Sequence, residues 1–112
     1  MTIAFTSTGA TWNSLIDPRF GRTAHIVLYN EENEELRDVD NTVIQNEAHG
    51  AGTATAQKIF ELHPNVLITG NGPGDNASKA LKHMAMKIFV NAQGMSLRQA
   101  YEKYKHGELT EI

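Results

Sequence analysis

A chain of 112 residues with a formal charge of −3 has the length of one domain, large enough to bury a core without covalent staples. It contains no cysteine, which excludes disulfides and the thiolate sets that hold zinc or an iron–sulfur cluster permanently. Ten Lys and Arg against thirteen Asp and Glu suggest neither a nucleic-acid surface nor a basic membrane patch, and no apolar run approaches membrane-spanning length, so we expect a soluble, cytoplasmic protein.

Thr2 to Ser7 mixes β-branched and aromatic residues and predicts the first strand. The polar loop behind it, 8–22, is long for a small domain, and loops of that length tend to be functional or disordered. Its end, Asp17-Pro18-Arg19-Phe20-Gly21-Arg22, combines a rigid proline, two guanidinium groups, an aromatic ring and a permissive glycine. Two readings stay open for it: a loop composed to hold something, or an Asp-Pro turn with Phe20 in the core and the arginines in water. His25 to Asn30 predicts the second strand, and the acidic turn 31–35 joins it as a hairpin to a third strand over 36–43. Imperfect alternation in that third strand marks an edge with one wet face. His49-Gly50-Ala51-Gly52 then leads into a helix over 51–62 that presents Ala56, Ile59, Phe60 and Leu62 inward and stops at His63-Pro64.

Val66-Leu67-Ile68-Thr69 reads as a strand buried on both faces that runs straight into Gly70-Asn71-Gly72-Pro73-Gly74. Asp75 or Asn76 is expected to cap the next helix, whose apolar positions are Ala77, Ala80, Leu81 and Met84. Free N–H groups at such a start favour an anion, although a tight strand-to-helix turn without a ligand is the plain alternative. Met86 to Val90 predicts a further strand. Ser96 and Gln99 form a capping box for a last helix striped by Leu97, Ala100, Tyr101 and Tyr104, and the tail 108–112 is too short to be a domain.

Strands joined through a helix run parallel with a right-handed crossover, whereas the first three strands form a meander. If the first and third strands run with the last two, the loops 8–22, 44–52, 70–76 and 91–95 open on one rim. In open α/β sheets the ligand lies at that rim where connections diverge, here between the first and fourth strands. Enzyme signatures are missing from these segments. The first strand has no carboxylate for a two-metal nuclease, no Ser stands in a nucleophile elbow, and no Lys-Ser/Thr follows the glycine loop as in a phosphate-binding Walker sequence. Asp17 and Asp75 look like capping and charge balance. A non-catalytic binding protein fits better, because two helix dipoles and the cations Arg19 and Arg22 favour an anion. His49 is the first candidate for an imidazole metal ligand and His25 the second, while His63, His83 and His106 take structural or surface places.

Taken together, Asp17 to Arg22, His49-Gly50-Ala51-Gly52, Gly72-Pro73-Gly74-Asp75-Asn76-Ala77 and Tyr104-Lys105-His106-Gly107-Glu108-Leu109 resemble the dinitrogenase iron–molybdenum cofactor biosynthesis family, which includes NifX, NafY and the carboxyl-terminal part of NifB. The resemblance implies a ribonuclease H-like motif fold over a single domain, 1–112: α/β, three layers, with a mixed five-stranded sheet of order 3-2-1-4-5. It also implies a carrier or chaperone for an iron–sulfur or iron–molybdenum type cofactor or its precursor, with a cofactor donor or acceptor protein as partner. The nitrogenase branch places a histidine ligand before the Phe-Gly pair, where this chain has Arg19, so His25 or His49 would substitute. The binding set we expect is Arg19, Phe20, Gly21, Arg22, His49, Gly50, Gly52, Gly70, Gly72, Gly74 and Asn76. The same loops suit a small-anion or nucleotide-binding regulatory protein, and a module that grips another protein is a third reading.

Overall fold

Alternation along β1 (Thr2–Ser7) sends Ile3 and Phe5 to one face and Ala4 to the other, and all three are fully buried in this computed structural model, which describes residues 1–112. A strand with two covered faces must be central. It pairs antiparallel with β2 (His25–Asn30) on one side and parallel with β4 (Val66–Ile68) on the other. β3 (Glu35–Asp40) adds to β2 as the outer edge with its mostly exposed, charged face, as its pattern predicts. β5 (Lys87–Val90) runs parallel to β4.

A sixth strand, β6 (Thr110–Glu111), pairs antiparallel with β5, so the sheet order is 3-2-1-4-5-6 rather than five-stranded. Two residues with no buried side chain give no periodicity to read, and only their backbone pairing marks them. The third strand is likewise shorter than its pattern suggests. Asp40 Oδ1 accepts from both Thr42 N (2.8 Å) and Thr42 Oγ1 (2.6 Å), an Asx turn that stops the strand and opens the four-residue helix α1 (Thr42–Gln45).

Two helices, α2 (Ala51–Leu62) and α3 (Asp75–His83), pack on one face, where Ile59 and Leu81 are fully buried with Ala4, Leu28, Leu67 and Ile88. The last, α4 (Leu97–Lys105), covers the other face with Leu97 and Ala100 against Ile3, Phe5, Val66 and Ile68. The Ser96–Gln99 capping box forms as read from the sequence. Phe60, expected inward, is instead 44% exposed between α2 and α3. The first half of the long loop is tied to the start of α4 and to the sheet: Ile16 N donates to Met95 O, Leu97 N to Ser14 O, and Trp12 packs edge-on against Phe5 and Tyr29. It forms part of the α4 layer.

Candidate functional site at the glycine rim

Because β1, β3, β4 and β5 share one direction, the segments after each of them emerge at one rim. Connections leave β1 and β4 toward opposite sides, which opens a crevice between these two strands. Its floor is closed by Thr6 Oγ1 and Thr69 Oγ1, buried and 2.7 Å apart, and Thr6 Oγ1 also lies 3.2 Å from Asp17 O.

The segment 17–22 lies across this crevice and is held by a buried carboxylate. Asp17 is 1% exposed, and its Oδ1 accepts from Arg19 N at 3.0 Å and Arg19 Nε at 3.3 Å. Glycine lets the neighbouring backbones close in. A Cβ at Gly70 would stand 2.6 Å from Pro18 Cα, and one at Gly21 would stand 2.7 Å from Gly52 Cα. Arg19 therefore lies between two glycine contacts, half-exposed, with neither terminal guanidinium nitrogen bonded within the protein. Phe20 is buried with Ala56 and Ile59 and anchors the segment as part of the core, the plainer of its two sequence readings. Arg22 Nη1 donates to Gln45 O and Glu47 O at 2.8 and 2.9 Å, so this guanidinium fastens the 45–47 backbone.

Two helices begin beside this segment. The N-cap of α2 is Gly50 at φ +76°, and that of α3 is Gly74, not Asp75 or Asn76. Neither start receives a side-chain cap, because a glycine has no oxygen to offer, so no side chain occupies the first N–H groups of either helix. Gly52, Thr53, Gly74, Asp75 and Asn76 line a shallow groove of about 370 Å³ between the two starts. Two helix dipoles point their positive ends at it, and Asp75 offsets one of them.

Other predicted residues lie around this groove rather than in it. His49 is exposed immediately before the α2 cap, and Gly72 rests against Val90 and Ile112 on the β6 side. His25 shares its sheet face with Val27 and Tyr29, the face covered by α4, and its Nδ1 lies 2.7 Å from Asp38 Oδ1. His63 ends α2 in the left-handed conformation, and His83 and His106 stand in the last turn of α3 and at the C-cap of α4. No three His, Asp or Glu side chains come together in the arrangement a metal ion needs. The donors at this rim are the main-chain amides of the two helix starts and the Arg19 guanidinium.

The family model described as "Dinitrogenase iron-molybdenum cofactor" matches residues 1–107. The chain belongs to that family. Among solved structures, this family member is similar to the apo orange protein from Desulfovibrio gigas, at 33% identity and a TM-score of 0.91, with 99% of this chain and 92% of that one covered. A NifB-like protein from Thermotoga superposes with a TM-score of 0.81 at 27% identity, covering 98% and 91% of the two chains. An uncharacterised protein of Methanocaldococcus jannaschii is 27% identical over 100 residues, which is 87% of this chain and 82% of the relative. Family and neighbours together place the chain among small proteins associated with cofactor binding or biosynthesis. No helix is long and apolar enough to cross a membrane.

Of the groove residues, Thr53 is not singled out by the sequence, while Asp17 and Asp75 read there as capping and charge balance, which is the part Asp17 takes with Arg19 N and Nε. An Asp two residues before an arginine and directly before proline is the pattern of an Asx turn, in which the carboxylate bonds the backbone two residues on. A second groove, of about 430 Å³, opens beside α4 between Gly94, Gln99, Glu102 and Lys103, but the Lys103–Glu108 ion pair neutralises its one ammonium group.

Proposed function

We propose that this protein is a non-catalytic, cytoplasmic carrier that holds an anionic iron–molybdenum or iron–sulfur type cofactor, or its precursor, at the glycine rim and passes it between a donor and an acceptor protein. The observation that carries this reading is the pair of uncapped helix starts on one groove. Amides fixed by two helices stabilise a polyanion without reorganising, and the Arg19 guanidinium, positioned by Asp17, adds a full charge in a planar fork. Family membership supplies the class of cargo. With no cysteine available, the hold is electrostatic and hydrogen-bonded, with at most an imidazole from His49 or His25, and a hold of that kind can be released to a partner.

The test is anaerobic mixing of the protein with isolated iron–molybdenum cofactor, followed by gel filtration with metal analysis and visible spectra. Wild-type protein is expected to co-elute with iron and molybdenum. Replacing a charge-assisted donor by a carboxylate loses at least one strong hydrogen bond, so Arg19→Glu should retain about tenfold less metal. No retained metal in the wild type, or equal retention in Arg19→Glu, contradicts the carrier reading. If thermal shifts with phosphate, molybdate or a nucleotide rise instead, and fall in Arg19→Ala, the small-anion regulatory reading takes its place.

A further inference from the structure

One stretch beside the rim is held in place by a single side chain. None of the residues 42–49 is buried, and Val43 is 80% exposed. Beyond Asp40 and Asn41 at its foot, this stretch is hydrogen-bonded to the rest of the protein only through Arg22, whose Nη1 donates to Gln45 O and Glu47 O at 2.8 and 2.9 Å.

Both of its ends are placed to turn. Gly50, the N-cap of α2, stands at φ +76°, and a Cβ there would meet nothing within 4 Å. Glycine takes either sign of φ without steric cost, so the chain can pivot at this point. At the other end Asn41 is fully buried, its Nδ2 donating to Thr23 O at 3.0 Å and to Thr55 Oγ1 at 3.2 Å. Its Oδ1 has no partner, although Asn41 is the N-cap of α1 and the first N–H groups of that helix lie next to it in the chain. A buried carbonyl oxygen without a donor is a local cost, and a rearrangement of α1 that brings one of those N–H groups to it recovers that cost. The guanidinium therefore holds an arrangement that the orphaned oxygen opposes.

We propose that 42–50 is a lid for the rim groove, latched open by Arg22. No residue of 42–49 lines the groove. His49 directly precedes the Gly50 pivot, and Gly52 and Thr53, just beyond it, line the groove, so turning at Gly50 carries the imidazole over them. Arg22 follows Gly21, whose backbone lies against that of Gly52, so an anion in the groove offers the guanidinium charged acceptors in place of two neutral carbonyls. Charge-assisted bonds are the stronger, and the anion thus releases the latch as it arrives. That the anion is the cofactor rests on the carrier reading; the latch and the pivot do not.

Because the chain has no cysteine, Ala48→Cys with Lys79→Cys gives one attachment point on the lid and one on α3, both at exposed positions. Nitroxide labels there are read by pulsed dipolar spectroscopy. With Arg22 in place, a single narrow distance is expected. Arg22→Leu should add a second distance, shorter by roughly 5–10 Å, the sweep of a two-residue arm of about 7 Å at Gly50. Arg22→Lys, which keeps one charged donor, should return most of the population to the longer distance. Amide exchange in Arg22→Leu should quicken at 43–49 and stay unchanged at 56–60, which reports that α2 is kept. An unaltered single distance in Arg22→Leu, a second distance that is longer, or faster exchange through α2 as well overturns the inference. A shorter distance in Arg22→Leu without metal co-elution in the wild type would sink the carrier reading alone, and co-elution without the shorter distance would sink the lid alone.

Discussion

Asp17 is the residue on which the rim is built. Its buried carboxylate organises the turn through Arg19 N and Nε, and truncation strands those donors and lets 17–22 lift off Gly52 and Gly70. Asp17→Ala should therefore lower unfolding free energy by about 1–3 kcal/mol in urea titrations. Arg19→Ala takes one donor from the buried Asp17 carboxylate but leaves the Arg19 N and Ala24 N donors in place, so it should destabilise clearly less than Asp17→Ala, while cargo retention falls. Equal destabilisation by the two variants would show that Arg19 is there for the fold. Gly21 makes the complementary point. An alanine there meets the Gly52 backbone, which cannot swing away as a flexible side chain would, so Gly21→Ala should destabilise by about 1–3 kcal/mol and weaken cargo binding together.

At the level of elements, long periodic segments were legible and short or strained ones were not. α2 agrees with its sequence limits at both ends, because a glycine loop starts it and His63-Pro64 stops it. The α3 cap was misread because Asp75 and Asn76 are good capping residues, yet Pro73-Gly74 sets the extended backbone one position earlier and Ser78 Oγ turns back to Pro73 O. Phe60 fits an inward position by periodicity, but the α2–α3 gap that exposes it depends on how two helices sit on the sheet, which no local pattern encodes. Nor could a local pattern show the fastening of α4 to the β2–β3 hairpin at the opposite rim. There Tyr101 Oη donates to Glu31 Oε2 at 2.6 Å, and Lys105 Nζ reaches the same oxygen at 3.0 Å. The Tyr101 hydroxyl above all, with Lys105, holds the Glu31 carboxyl below its usual 4.5, against a desolvation that pushes it up. A lowered carboxyl stabilises the fold above the unfolded value, and that contribution is lost as pH falls through the folded one. Tyr101→Phe should accordingly destabilise by about 1.5 kcal/mol at neutral pH and by clearly less below pH 4.5, read from urea unfolding at both. A gap independent of pH would contradict this assignment.

For the molecule as a whole, the gathering of loops could be derived before any coordinates, because strand directions alone decide which loops meet. A βαβ unit forces parallel strands and a hairpin forces antiparallel ones. Phe20, Gly52 and Gly74 accordingly belong to one rim. Side-chain roles within the rim were less legible, since composition cannot tell a guanidinium that faces solvent, as in Arg19, from one that pins a loop, as in Arg22. The central claim is that an anionic cluster sits between the starts of α2 and α3, and amide NMR of the labelled protein during anaerobic addition of the isolated cofactor tests it most directly. The account predicts shifts or broadening first at Gly52, Thr53, Asp75 and Asn76, with Glu102 and Lys103 unmoved. Perturbation centred instead on the groove beside α4, with the Gly52 and Asn76 amides unchanged, would contradict it.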